Sequence, residues 1–179
     1  MTAGTLDVHP IAGSLGAEVH GLDLSRPLSD ATMAAVHRAL IDNKVIVFRD
    51  QELTPEQQVA LTRRFGPVLR VPFVAHMAEH PDIIAVLKTP EERGIGVFGG
   101  DWHSDFSFLE APPMATLLYA REVPGHGGDT IWADMAGAYD ALSDGMKALL
   151  DGLIAIHSGV PYGTRGPGPD VAVAALAPA

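Results

Sequence analysis

A chain of 179 residues that is 47% hydrophobic and 19% charged has enough apolar material to bury a core, which excludes disorder along its whole length. Twelve Lys and Arg against 22 Asp and Glu give a formal charge of -10, and with no basic cluster to neutralise phosphates this balance disfavours a nucleic-acid or anionic-membrane surface. With no cysteine, disulfide scaffolds, zinc ribbons, iron–sulfur clusters and thiol nucleophiles drop out, and eight histidines direct any metal hypothesis to His and carboxylate ligands.

Met1 to Pro10 has neither the basic nor the apolar region of a signal peptide. No apolar run approaches the roughly 18 residues of a membrane span, so a cytoplasmic protein is expected. Val19 to Leu24 reads as a short strand. Ser29 reads as an N-cap, with Met33, Val36, Leu40 and Ile41 at helical spacing behind it and Asn43-Lys44 as the stop. Val45 to Phe48 is a β-branched run with the pattern of a buried strand. Thr54-Pro55-Glu56-Gln57 combines a capping residue, a proline suited to the first turn and a capping-box glutamine, so a helix is expected to Phe65, ended by Gly66-Pro67. Ile83 to Leu87 reads as another strand, and 88–101 as a loop with Gly94, Gly96, Gly99 and Gly100. Strands are then expected within Trp102 to Leu109, Met114 to Ala120 and Asp129 to Ala133. Helices follow near Asp134 and behind Ser143, the latter with Met146, Leu149, Leu150 and Leu153 on one face. From Pro161 to Ala179 most residues are Gly, Pro or Ala without periodicity, which reads as a flexible tail.

The chemistry-bearing segment is Asp101-Trp102-His103-Ser104-Asp105-Phe106-Ser107-Phe108. On an extended strand, residues i and i+2 share a face, so His103 and Asp105 would project together and could grip one metal ion. That is two-thirds of the 2-His-1-carboxylate triad of non-heme Fe(II) oxygenases, which leaves coordination positions open for a cosubstrate and O2. Taken alone, His-x-Asp is equally a surface turn or a satisfied strand pair. Trp102, Phe106 and Phe108 would supply apolar surroundings, or are ordinary core aromatics.

Downstream lie Glu110-Ala111-Pro112-Pro113-Met114-Ala115-Thr116-Leu117-Leu118 and Val123-Pro124-Gly125-His126-Gly127-Gly128-Asp129-Thr130-Ile131-Trp132. Together with Trp102-His103-Ser104-Asp105, their order and spacing resembles the taurine dioxygenase (TauD/TfdA) family of Fe(II)- and 2-oxoglutarate-dependent dioxygenases. The resemblance includes Gly16-Ala17-Glu18-Val19, Gly21-Leu22-Asp23-Leu24, Val45-Ile46-Val47-Phe48-Arg49, Phe65-Gly66, Ala138-Tyr139-Asp140-Ala141-Leu142-Ser143 and Leu149-Leu150-Asp151-Gly152-Leu153, over roughly residues 5–160.

The resemblance implies an α+β fold, a double-stranded β-helix (jelly-roll) core with flanking helices, here incomplete at the C-terminus. It implies a dioxygenase domain over 1–160, followed by the 161–179 tail. His103 and Asp105 match the first two iron ligands, and Thr130 matches the residue whose hydroxyl bonds a 2-oxoglutarate carboxylate. The implied reaction uses Fe(II), 2-oxoglutarate and O2 to hydroxylate a small organic substrate, carboxylated or sulfonated, with release of succinate and CO2. A small-molecule substrate, no nucleic-acid or membrane partner, and association into homo-oligomers are implied alongside.

The family's third ligand, a His, and its 2-oxoglutarate-binding Arg have no match in these residues. The later histidines are His126, with the pattern of an exposed loop residue, and His157, which in the family pattern leads towards a lid region. Arg165 could mimic the Arg but falls in the tail. The amide that sulfonate-binding members carry four residues before the first ligand is here Gly99, and Arg70, Phe73 and His76 cannot be aligned to a substrate role. His76 and His80, four apart, would be a second metal pair or solvated loop residues. Two rivals stand beside the dioxygenase: a non-catalytic remnant of the fold, and a cupin-like metal protein that uses His157. A chain with two of three ligands is expected to bind Fe(II) weakly and to form little succinate.

Overall fold

The structure is a computed structural model, and residues 6–71, 74–87 and 99–159 are described. The chain divides into two compact units. One comprises residues up to Phe65 together with Leu118–Gly152, the other Gly66–Leu117 together with the residues from Leu153 onward.

Among the described residues, the first unit holds all the regular elements. Strand β1 (Asp7–Pro10) pairs antiparallel with β2 (Ala17–His20), with Asp7 opposite His20 and His9 opposite Glu18. Strand β3 (Ile46–Val47) pairs parallel with the other edge of β2, so β2 is central in a three-stranded sheet. The β1–β2 connection closes with the Ile11 amide donating to the Gly16 carbonyl at 3.0 Å. Gly16 has φ +95, and a Cβ there would lie 3.1 Å from Ile11 Cγ1, so this turn requires glycine.

Pleating sends Ala17 and Val19 to one face of β2, where both are buried. Helix α1 (Asp30–Asn43) buries Met33, Val36 and Ala39, and it contacts β3. Leu24 completes the buried apolar set of this unit. Ser29 caps α1 by accepting from the Thr32 amide. Lys44 ends the helix at φ 65, with its amide donating to the Leu40 carbonyl. The expected apolar stripe is therefore right at Met33 and Val36. Ile41 departs from it and is 65% exposed, on the flank of the helix that carries Ala34, His37 and Arg38.

Helix α2 (Pro55–Arg63) starts with the expected reciprocal box. Gln57's amide donates to Thr54 Oγ1 at 3.3 Å, and Thr54's amide donates to Gln57 Oε1 at 2.7 Å. The helix stops at Arg63 rather than Phe65, because the last amides make short-range bonds, Arg64 to Leu61 and Phe65 to Thr62. Arg64 then ties its end to the start of α1, donating to the Leu28 carbonyl and to Asp30, while the Phe65 ring stacks on His37. Helices α3 (Met135–Asp140) and α4 (Asp144–Leu150) start where expected, α3 capped by Asp134 and α4 by the expected Ser143. The apolar positions of α4 and its following turn, Met146, Leu149, Leu150 and Leu153, are all exposed.

The second unit has no named strand or helix among its described residues. Its regular pairing is a single antiparallel bridge, His76 with Ile84, in place of the strand expected over Ile83 to Leu87. Val71 and Phe108 are its buried hydrophobic side chains. No strand forms within Trp102 to Leu109, Met114 to Ala120 or Asp129 to Ala133. Val45 to Phe48 contributes only the half-buried Ile46–Val47. The expected strand at Val19 to Leu24 is shifted to Ala17–His20. Where a strand is missing or cut short the propensity is present, but a strand also needs a neighbour's edge to bond, and among the described residues these segments find none or only a short one. The helices and small sheet agree with an α+β class, and a double-stranded β-helix is not seen among the described residues. No helix among them is long and apolar enough to cross a membrane. The tail, Arg165, Phe73, Gly94 and Gly96 lie outside the described residues.

Candidate metal centre

The His103–Asp105 pair sits in a turn of the second unit. Phe106 follows at φ 51, a conformation that costs an L residue roughly 1–2 kcal/mol. It is held by the Leu109 amide donating to the Phe106 carbonyl at 3.0 Å and by an edge contact of the Phe106 ring with Phe108, which is buried. The strand expected here is therefore replaced by a turn that folds the chain back after Asp105. The two side chains nevertheless converge: His103 Nε2 lies 3.2 Å from Asp105 Oδ1.

Three bonds define the pair. His103 Nδ1 lies 2.7 Å from the Asp101 carbonyl oxygen. A carbonyl can only accept, so Nδ1 carries a proton, and in the neutral ring Nε2 is the bare lone pair. That lone pair faces a carboxylate oxygen, which also only accepts. Two acceptors this close need a positive charge between or upon them, either a proton on Nε2 or a cation bound by both. Bonds of about 2.1 Å meeting at a right angle put two donor atoms about 3.0 Å apart, so the pair suits two adjacent positions on one octahedral ion. An imidazole whose other nitrogen donates to a carbonyl is also the usual state of a metal-bound histidine. The third bond is Thr116 Oγ1 donating to Asp105 Oδ2 at 2.8 Å.

Gly99 approaches the same ring. A Cβ at this position would lie 3.3 Å from His103 Cε1. The aromatic surroundings are thinner than expected. Phe108 is buried, but Trp102 is 70% exposed, and the His103 and Asp105 side chains are 40% and 45% exposed.

Thr130 lies on an exposed stretch of the first unit. Among the described residues no group of three His, Asp or Glu side chains is placed to hold one ion, so His157 does not complete the pair. Its Nδ1 is bonded to Ser107 Oγ at 2.8 Å. His126 and Asp129 are exposed. His76 donates from Nε2 to the Val71 carbonyl at 2.9 Å, and since 75–81 is not helical its spacing to His80 does not put the two rings on one helix face. Arg70 pairs with Asp82.

Sequence reasoning missed Thr116, the Asp101 carbonyl and the Phe106 turn. The one available signal for Thr116 was a lone hydroxyl inside the apolar run Met114 to Leu118.

Comparison with known proteins places these observations. The model of the taurine catabolism dioxygenase TauD, TfdA family matches residues 7–174. An alpha-ketoglutarate-dependent sulfate ester dioxygenase of Pseudomonas putida is 37% identical over 154 residues, covering 86% of this chain and 50% of that protein. The alpha-ketoglutarate-dependent 2,4-dichlorophenoxyacetate dioxygenase of Cupriavidus pinatubonensis is 34% identical over 164 residues, covering 84% of this chain and 56% of that protein. Among solved structures, a taurine dioxygenase from Burkholderia xenovorans superposes with a TM-score of 0.73 at 36% identity, covering 86% of this chain and 54% of that one. AAD-2, solved in complex with Mn(II) and N-oxalylglycine, superposes with a TM-score of 0.68 at 29% identity, covering 87% of this chain and 59% of that one. The chain thus spans about half the length of the curated relatives it matches.

Proposed function

The chain belongs to the TauD/TfdA family, and from that membership we propose that the protein is an Fe(II)- and 2-oxoglutarate-dependent dioxygenase acting on a small organic acid. The observation that carries the reading is the convergence of His103 Nε2 and Asp105 Oδ1, 3.2 Å apart. Bound Fe(II), with 2-oxoglutarate and O2, supplies the oxidation: one oxygen atom enters the substrate as hydroxyl, the other enters succinate, and CO2 leaves.

The residues' own contributions are positional. The Asp101 carbonyl holds the His103 ring by its Nδ1 proton and so presents Nε2 as a ligand atom. Asp105 supplies a negative charge beside it, which favours a divalent cation over a neutral guest. Thr130 is assigned to donate its hydroxyl to a carboxylate of the cosubstrate. The named activities of relatives, on sulfate esters and on a phenoxyacetate, support an anionic substrate. With Gly99 in place of a longer side chain, nothing from that position reaches past the imidazole to bond the substrate's anionic group. The fold we assign is the jelly-roll with flanking helices, over a domain ending near residue 160.

The test is anaerobic addition of Fe(II) and then 2-oxoglutarate. With two of the three ligands, the 179-residue chain should show a weak visible metal-to-ligand charge-transfer band that needs excess Fe(II) and is lost in Asp105→Ala, and little succinate should form on admitting O2 with substrate. Absence of the band in wild type removes the dioxygenase reading. A non-catalytic remnant of the fold would show neither the band nor succinate.

A further inference from the structure

We propose that Thr116 is a positioning residue that sets how Asp105 offers its carboxylate, occupying Oδ2 so that only Oδ1 is left for a cation at His103. The proposal rests on the reading of His103 and Asp105 as a metal-holding pair.

A free carboxylate can bind a cation through one oxygen or both. The choice matters, because a second oxygen takes a coordination position that a chelating cosubstrate needs. The backbone alone does not decide it. The Phe106 turn fixes where the Asp105 backbone lies, but the carboxylate can still rotate about its side-chain torsions. Two contacts remove that freedom, one on each oxygen. Oδ1 faces His103 Nε2 at 3.2 Å, and Oδ2 accepts from Thr116 Oγ1 at 2.8 Å. Thr116 comes from beyond Pro112-Pro113, eleven residues away in sequence, so the bond is a deliberate return of the chain and not a neighbour effect.

The chemistry of the donor fits this role. A hydroxyl carries no charge, so it holds Oδ2 without neutralising the carboxylate, as a Lys or Arg in the same place would do. Oδ1 keeps its lone pairs and its share of the negative charge. With Thr116 in place the pair therefore offers one nitrogen and one oxygen. Without it, Oδ2 is free to swing towards the ion.

Mn(II) titration of the 179-residue chain, read by loss of the free-ion EPR signal, tests this with Thr116→Val, Thr116→Ser and Asp105→Ala. Outer partners of metal ligands usually change affinity by about 10-fold or more, so Thr116→Val should shift the affinity by about that factor, while Thr116→Ser, which keeps the hydroxyl, should stay close to wild type. A second readout is the infrared difference spectrum of protein with [13C]aspartate, with and without Mn(II). Wild type should show the wide splitting between the asymmetric and symmetric carboxylate stretches of one-oxygen binding, and Thr116→Val the narrower splitting of two-oxygen binding. Equal affinity and equal splitting in Thr116→Val and wild type overturn the Thr116 proposal and leave the metal pair standing. No binding by wild type, or undiminished binding by Asp105→Ala, overturns the metal pair itself and this proposal with it. Should Thr116→Val fail to fold by circular dichroism, the wild-type spectrum decides alone, because a narrow splitting there contradicts the proposal.

Discussion

The Tyr119 hydroxyl reaches back 68 residues to donate to the Gln51 carbonyl at 3.2 Å, and it accepts from the Leu53 amide at 3.1 Å. Gln51 in turn makes three bonds by its side chain, accepting from the Leu24 amide and donating to the Leu22 and Arg49 carbonyls. The chain that returns at residue 118 is thereby fastened to the stretch between β3 and α2. Tyr119→Phe keeps the ring and strands the half-buried Leu53 amide, so it should lower stability by about 1–3 kcal/mol. Urea unfolding checks this, and a midpoint unchanged from wild type would show that water replaces the hydroxyl freely.

The capping box of α2 gives a second expectation. Thr54→Ala removes the acceptor of the Gln57 amide and should cost about 1 kcal/mol, while Thr54→Ser should cost little. Gln57 also donates to the Ser25 carbonyl at 2.9 Å, so Gln57→Ala should lose more than the box alone. Equal stability of Thr54→Ala and Thr54→Ser would remove the cap as a contributor.

Asp134 links stability to pH. The Gly137 amide that it caps, and then the Lys44 ammonium 3.0 Å away, hold its carboxyl below the ordinary carboxylate range. A depressed folded value means that the unfolded chain takes up the proton first as the solution is acidified. The contribution is therefore complete above the ordinary carboxylate range and is lost as pH falls through the lower folded value. Asp134→Asn keeps a capping oxygen without the charge. Its stability deficit relative to wild type should be present at neutral pH and vanish in acid. A deficit constant across that span would assign the effect to the cap geometry.

The caps Ser29, Thr54 and Ser143 were legible in the sequence because they are local: each bonds an amide three residues on. The helical face at Met33 and Val36 was legible for the same reason. Strands were not, since β-branched runs such as Ile83 to Leu87 specify a conformation only once a partner edge is supplied, and here His76 alone bridges Ile84. At the candidate site the closeness of His103 and Asp105 was legible from their spacing, but its cause was not. The expected strand gives way to a turn built on Phe106 at φ 51, a conformation no residue pattern announces for phenylalanine. Thr116 was illegible because its bond to Asp105 is made across a turn by a residue whose neighbours are all apolar.

Gly99 supplies the last expectation. Its φ of +70 strains any L residue, and a Cβ would stand 3.3 Å from His103 Cε1 and 3.9 Å from Nε2. Gly99→Ala should therefore do two things. It should cost roughly 1–2 kcal/mol of stability through the backbone, and it should displace the imidazole by a few tenths of an ångström, which weakens its grip on a cation. Gly127 separates the two effects, because it has φ +76 but nothing within 4 Å of its Cβ position. Gly127→Ala should thus show a similar loss in urea unfolding with unchanged Mn(II) affinity, while Gly99→Ala loses affinity as well. If both variants bind Mn(II) as wild type does, the ring yields without consequence, and position 99 does not govern where His103 Nε2 lies.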